Sequence, residues 1–208
     1  VDGQQRLSAL NELDNTDFQV FVTGIACEND DELRKQFILI NNTRPLPKAL
    51  IYELLPTVDG LPVRLSSRSA AASLIERLNY EADSSLKGQI KQQTNPTGVL
   101  QDTVMQKLIM GSLSDGALRE CMQHEDGDDR AFLLISEFFA AVQSVFADDW
   151  VRHKPRTSRL LHGAGIVGMG YVMEHLYSTD RARVQADFEA GLDLLRGKVA
   201  WTSGVWEF

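Results

Sequence analysis

The chain has 208 residues, of which 43% are hydrophobic and 24% are charged, a composition typical of a globular protein with a sizeable core. Its formal net charge of −8 argues against a protein that coats nucleic acid through a generally basic surface, because such binding depends on neutralising phosphates. No apolar run reaches the roughly 18–20 residues that a membrane-spanning helix requires, so we expect no contact with a membrane.

The cysteines and the start of the chain bear on its location. Cys27 and Cys121 lie far apart, which favours a reducing compartment, and no basic segment followed by an apolar one opens the sequence as a secretory signal would. We therefore expect a cytoplasmic protein. The two cysteines and four histidines show no zinc-ligand spacing, so no metal ligand is predicted. The chain begins with Val1, one residue before its most informative motif, and we expect it to be truncated at the N-terminus.

The first 62 residues predict a mixture of helix and strand. Residues 2–12 favour a loop that turns into a helix, and the alternating, β-branched and aromatic residues 18–22 favour a strand that ends at Gly24. A helix should begin at Asn29 or Asp30, where a capping side chain precedes an acidic first turn, and run to about Ile40. Pro45 and Pro47 end it.

From residue 63 onward we expect helices and little strand. Five stretches have the 3.6-residue spacing of apolar residues that is typical of amphipathic helices: 70–78, 99–113, 129–146, 160–176 and 181–195. Residues 83–97 and the acidic residues 121–128 predict loops. The predicted fold class is α+β and mostly helical, with an α/β part in residues 1–62 and a helical region in residues 63–208.

The motif Asp2-Gly3-Gln4-Gln5-Arg6 has the chemistry of a phosphate-binding turn. A glycine at the start of a helix lets backbone N–H groups approach an anion, and the helix N-terminus adds the positive end of its dipole. Arg6 supplies a planar cationic fork for phosphate oxygens, and Asp2 could cap the helix or hold a metal ion. The same spacing fits a capped helix start with a surface arginine equally well.

A second candidate site follows the helix that should end near Ile40. Asn41 and Asn42 at a helix C-terminus tolerate left-handed backbone geometry and can bond a base, a ribose or a phosphate, and Arg44 and Lys48 add positive charge. The alternative is a C-cap followed by a proline stop.

A basic cluster stands out in the acidic chain. Five basic residues fall within eight positions: Arg152, His153, Lys154, Arg156 and Arg159. They predict either a solvated loop interrupted by proline or a loop that contacts nucleic acid. Arg156, Ser158, Arg159 and His162 are the candidate contacts, although Ser158 and His162 also fit a capped helix start.

The glycines after this cluster resemble a dinucleotide fingerprint in spacing only. Residues 163–168 fit G-x-G-x-x-G, but no hydrophobic strand precedes them as that site requires. We expect instead that Gly163, Gly165, Gly168 and Gly170 let a helix pack closely against a neighbour. The acidic run 125–129 lacks the full calcium-loop pattern and favours a solvated loop.

Four separated segments resemble DGQHR-domain proteins of the ParB/sulfiredoxin-like superfamily. The first is the Asp2–Leu7 segment, in which Gln5 stands where the family name has histidine; the others are residues 37–48, 158–166 and 201–207. Together they span nearly the whole chain, in the family's order.

The resemblance implies a place in DNA modification and bacterial defence. Relatives are encoded beside enzymes that modify DNA by phosphorothioation or by inserting 7-deazaguanine bases, and this sequence is most similar to the deazaguanine type. In relatives the turn that corresponds to residues 2–6 binds a nucleoside triphosphate. The implied nucleotide-binding residues are Gly3, Gln4, Gln5, Arg6, Asn41, Asn42, Arg44 and Lys48. The implied catalytic residues are Asp2 and Arg6, and the cofactor is ATP or another nucleoside triphosphate with Mg²⁺.

Three functions follow as expectations. The first is an accessory nucleotide-binding protein, an ATPase, that works with the modification enzymes of the same gene cluster. The second is a DNA-binding transcriptional regulator of that cluster without enzymatic turnover. The third is a scaffold that holds modification enzymes together.

Overall fold

The computed structural model describes residues 8, 11–12, 24–41, 50 and 63–204, and the architecture given below concerns these residues. Helices dominate them, and one short parallel sheet joins them. The elements are α1 (Asp30–Asn41), α2 (Val63–Tyr80), β1 (Ile90–Lys91), β2 (Leu100–Gln101), α3 (Asp102–Asp115), α4 (Ala117–Cys121), α5 (Gly127–Val145), α6 (Ala147–Trp150), α7 (Gly163–Thr179) and α8 (Gln185–Asp193).

The predicted mostly helical class is confirmed for the described residues. The helix predicted from Asn29 or Asp30 to Ile40 is α1, and Asn29 is its cap, because its Oδ1 accepts a 2.9 Å hydrogen bond from the backbone N–H of Glu32. The predicted strand 18–22 lies outside the described residues, and the α/β part of residues 1–62 stays a prediction.

The core is built around α5. Its side chains are apolar on most sides, as expected of a helix that other elements surround. The centre of the Phe138 ring lies 5.3 Å from that of Phe139 and 5.2 Å from that of Phe188 on α8. In both pairs the rings meet nearly edge to face, an arrangement that stabilises aromatic pairs. All three phenylalanines are fully buried. Helices α2, α4 and α8 therefore close over α5, while α3 packs between α2 and α7.

The two strands correct the predicted loop 83–97. β1 and β2 pair in parallel, with Ile90 opposite Leu100 and Lys91 opposite Gln101, so the helix predicted from residue 99 begins only at Asp102. The buried side chain of Asn79 holds β1 in place through hydrogen bonds. Its Oδ1 accepts from the Ile90 N–H at 3.0 Å, and its Nδ2 donates to the Ile90 carbonyl at 3.0 Å and to Gln92 Oε1 at 2.8 Å. Hydrogen bonds from a residue 11 positions earlier in the chain thus fix this segment, and the local signals that predicted a loop do not include them.

Most of the remaining boundaries differ from prediction by a few residues, but α2 begins at Val63, seven residues before the predicted start at residue 70. The predicted loop 121–128 gives way to α5 at Gly127, the helix predicted from residue 160 begins at Gly163, and the last helix covers only Gln185–Asp193. The short helices α4 and α6 were not predicted, because single turns carry too little periodicity. No helix among the described residues is long and apolar enough to cross a membrane.

Candidate nucleic-acid interface

The basic loop is the segment between α6 and α7, residues 151–162. Arg152 begins it in the left-handed backbone region, with φ of 66°. A tight turn follows, in which the Lys154 N–H donates to Thr157 Oγ1 at 3.0 Å and the Thr157 N–H donates to the Lys154 carbonyl at 2.9 Å. This turn holds a compact backbone that presents the side chains of Arg152, Lys154 and Arg156 to solvent.

The second half of the basic loop is anchored in the core. Ser158, Leu160 and Leu161 are buried. Arg159 is tied to the C-terminal segment 201–203, since its backbone N–H donates to the Trp201 carbonyl at 2.9 Å and its Nη1 donates to the Ser203 carbonyl at 3.0 Å. Two of the segments that carry the family resemblance, 158–166 and 201–207, are therefore in contact through their described residues.

The C-terminal segment is itself fixed to the end of α5 and to α6. The Trp201 ring packs edge to face on Phe146 with 5.9 Å between ring centres, and Thr202 Oγ1 donates to Asp149 Oδ1 at 2.7 Å. The basic loop is therefore bonded to residues 201–203, which in turn contact Phe146 and Asp149, about fifty residues earlier in the chain.

The exposed cations of the basic loop have no acidic partner within the described ranges. Arg152, Lys154 and Arg156 form no ion pair there. The Arg159 guanidinium is half-buried and bonded to a carbonyl, so its charge is held against the protein. The side chains that remain available to bind phosphate groups therefore lie in the first half of the basic loop.

The predicted nucleic-acid contacts fall into different environments. Arg156 is exposed, as a contact with DNA requires. Ser158 is fully buried, so it could meet DNA only if the loop opened. His162 is exposed and caps α7, where its Nδ1 accepts from the Ala164 N–H at 3.3 Å. Arg159 is bonded to the C-terminal segment 201–203 and so fixes the loop to the rest of the protein.

The predicted nucleotide site lies almost wholly outside the described residues. Asn41 is the last residue of α1, which confirms that a helix ends where the Asn–Asn pair begins. The other residues predicted to bind nucleotide or act in catalysis are not described: Asp2, Gly3, Gln4, Gln5, Arg6, Asn42, Arg44 and Lys48. Their roles stay predictions.

The glycines of α7 serve packing at three of the four predicted positions. A Cβ on Gly165 would collide with the Arg159 carbonyl oxygen, one on Gly170 would lie 2.8 Å from Leu108 Cγ, and one on Gly163 would lie 3.1 Å from a Val104 methyl. For Gly168 the packing prediction is wrong, since nothing lies within 4 Å of its Cβ position. A loop precedes this helix, as the rejection of a dinucleotide site anticipated.

Sequence reasoning missed a cationic cavity of about 210 Å³ between the α4–α5 turn, α5 and the α7–α8 loop. Its lining includes Cys121, His124, Arg130, Leu133, Tyr177 and Arg183. No contiguous motif marks these residues, because they come from positions up to 62 residues apart.

The polar groups of the cationic cavity influence one another. Burial raises the pKa of the Cys121 thiol, while the positive charge of Arg183, a hydrogen bond from Tyr177 and the charge of Arg130 oppose that shift. Burial also raises the pKa of the Tyr177 hydroxyl, with a further contribution from Cys121. Both arginines line the same cavity as the thiol.

Comparisons with known proteins gave no match: no family model matches the chain, and neither the curated proteins nor the solved structures include one that is significantly similar to it.

Proposed function

We propose that this chain is an accessory nucleotide-binding protein, an ATPase, of a system that modifies DNA with 7-deazaguanine or phosphorothioate groups. The observation that carries the proposal is the Asp2–Arg6 motif, together with the ordered recurrence of three later segments that resemble DGQHR-domain proteins. The end of α1 at Asn41 is consistent with it, because the second motif was expected to begin at a helix C-terminus.

Each residue of the proposed site has a role that suits its chemistry. Arg6 holds phosphate oxygens through its guanidinium fork, and Gly3 lets the backbone approach them. Asp2 holds Mg²⁺ or positions a water molecule, and the Mg²⁺ neutralises charge on the phosphates. The second motif, with Asn41, Asn42, Arg44 and Lys48, contacts the base, the ribose or a phosphate. The system's DNA-modification enzymes are the proposed partners.

ATP binding and hydrolysis by the purified protein test this proposal. We expect wild type to bind ATP saturably and Arg6→Ala to lose at least roughly tenfold in affinity, since a charged hydrogen bond contributes about 1.5–3 kcal/mol. Arg119→Ala is the matched control, because Arg119 is exposed and, among the described residues, pairs with Asp115 alone. Equal binding by wild type and Arg6→Ala would refute the assignment of Arg6.

A second candidate function, a DNA-binding regulator of the same gene cluster, is favoured by one specific observation. Arg152, Lys154 and Arg156 are exposed and form no ion pair with any residue that the structure describes, in a chain whose net charge is −8. A local cationic loop on an acidic protein can contact phosphates at one place while the remaining surface repels DNA, which restricts binding to a defined orientation.

Salt-dependent binding to the promoter of the cluster tests this second function. Each phosphate contact that is removed should reduce the slope of log affinity against log salt by about 1. We expect this for Lys154→Ala and for Arg156→Ala, and no change for Arg119→Ala. If both loop variants bind the promoter as wild type does, the basic loop is not the interface.

A further inference from the structure

The cationic cavity shares no lining residue with the basic loop, and two arginines from different elements line it. Arg130 comes from α5, and Arg183 comes from the loop before α8. No aspartate or glutamate of the described residues lines this cavity; Asp126 is bonded to Arg130 and Glu120 to Tyr177 at its edge. A small cavity with two guanidinium groups and no lining carboxylate has the composition of an anion site.

Arg183 is held in place by three contacts. Its guanidinium carbon lies 3.3 Å from the centre of the Tyr177 ring, in a cation–π contact. Its Nη1 donates to the Tyr177 carbonyl at 2.9 Å and to the Ala182 carbonyl at 2.8 Å. These contacts use one nitrogen and leave Nε and Nη2 without a hydrogen-bond partner among residues 63–204. The guanidinium is thus fixed before any ligand arrives.

Arg130 is also held at one nitrogen only. Its Nε donates to Asp126 Oδ1 at 2.7 Å, an ion pair within one helical turn. Both of its terminal nitrogens lack a partner within that same part of the chain. The two arginines, both of which line the cavity, therefore have four guanidinium nitrogens without a partner in that part of the chain, and His124 lines the same cavity.

We propose that the cationic cavity binds the phosphate group of a small molecule, through Arg130 and Arg183 with His124 beside them. Two forks from different directions suit a tetrahedral group with three peripheral oxygens better than they suit a planar carboxylate, which a single fork satisfies. The inference is independent of the proposed nucleotide turn.

The walls of the cavity limit what else the ligand can carry. Leu133 leaves 51% of its surface exposed on one side, where it offers an apolar contact to a group attached to the phosphate. Because the volume is about 210 Å³, below the 300–1,000 Å³ range of drug-sized sites, the ligand is free phosphate or a small phosphomonoester.

Calorimetric titration of the full chain with inorganic phosphate tests the proposal. We expect saturable binding that weakens with added salt, and a loss of roughly tenfold in affinity for Arg130→Gln, as removal of a charged hydrogen bond implies. Arg119→Gln is the matched control, since Arg119 has the same i,i+4 pairing with an aspartate and does not line the cavity. Arg183→Gln should weaken binding as well, and so should His124→Gln, whose side chain is exposed.

A further comparison separates the two sources of phosphate. Tighter binding of glycerol phosphate than of inorganic phosphate would identify a phosphomonoester as the ligand. Tighter binding of inorganic phosphate would identify free phosphate. The proposal is overturned if wild type shows no saturable binding of either compound, or if Arg130→Gln and Arg183→Gln, both folded by circular dichroism, bind as Arg119→Gln does.

Discussion

The backbone N–H of Arg159 donates a 2.9 Å hydrogen bond to the carbonyl oxygen of Trp201, and this bond joins the basic loop to the C-terminal segment. The Trp201 ring packs on Phe146 at the end of α5. The position of the basic loop therefore depends on a half-buried tryptophan more than forty residues later in the chain.

Trp201→Ala should lower the free energy of unfolding by about 2 kcal/mol, less than for a fully buried tryptophan because Trp201 keeps part of its surface exposed. Urea denaturation followed by circular dichroism measures this. Tyr171→Ala is the control, since the Tyr171 side chain is 73% exposed and its loss should change stability by no more than about 0.5 kcal/mol. Equal effects would mean that Trp201 does not hold the segment.

Asn79→Ala should lower the free energy of unfolding by about 2–3 kcal/mol. The substitution leaves the buried Ile90 N–H without its acceptor and removes two donated hydrogen bonds from the turn that carries β1. Amide hydrogen exchange at Ile90 should accelerate as well. Gln123→Ala, at an exposed position, should change neither quantity, and wild-type exchange at Ile90 in Asn79→Ala would contradict the role given to Asn79.

Two glycines of α7 should respond in opposite directions to alanine. Gly168→Ala should raise the free energy of unfolding by roughly 0.5–1 kcal/mol, because nothing lies within 4 Å of the new Cβ and alanine favours helix. Gly170→Ala should lower it by about 1–3 kcal/mol, because its Cβ would lie 2.8 Å from Leu108 Cγ. The two melting temperatures, compared with that of wild type, measure the difference. Shifts of the same sign would contradict the packing of α7 on α3.

Cys121 should make stability depend on pH at the alkaline end. Burial raises the pKa of its thiol in the folded state, so the unfolded chain loses this proton first as the pH rises. The thiol's contribution to stability is complete below the unfolded pKa of about 8.5 and is lost as the pH rises from there through the folded pKa. The stability difference between wild type and Cys121→Ala should therefore shrink as the pH rises from about 8 through the folded pKa.

Urea titrations of both proteins at each pH measure this difference, and taking the difference removes the contributions of groups that the two proteins share. A gap that stays constant or widens over that range would contradict a raised thiol pKa.

The helices could be predicted from the sequence because their signals are local. In α5, Phe132, Ile135, Phe139 and Val142 recur every three or four residues, and all four are buried on the core side. In α1 the cap and the acidic first turn stand next to each other, so its start was predicted to within a residue.

The sites that depend on distant partners could not be predicted in this way. Asn79 reads as a polar residue at a helix end, yet its bonds reach residues 11 and 13 positions away. Ser158 lies in a strongly basic stretch, which predicts a contact with nucleic acid. The neighbouring Leu160 and Leu161 pack in the core, and Ser158 is buried with them. The stacking of Arg183 on Tyr177 needs the turn after α7, whose geometry no sequence pattern specified.

The tie between Arg159 and the segment 201–203 has a consequence for biosynthesis. The ribosome makes the loop more than forty residues before the carbonyl groups that hold Arg159. Until those later residues emerge, Arg159 lacks both acceptors, and closing so long a stretch of chain costs entropy that only the finished contact offsets. During synthesis the local turn from Lys154 to Thr157 can form before residues 201–203 have been made, but the three exposed cations take their final position relative to the rest of the protein only afterwards.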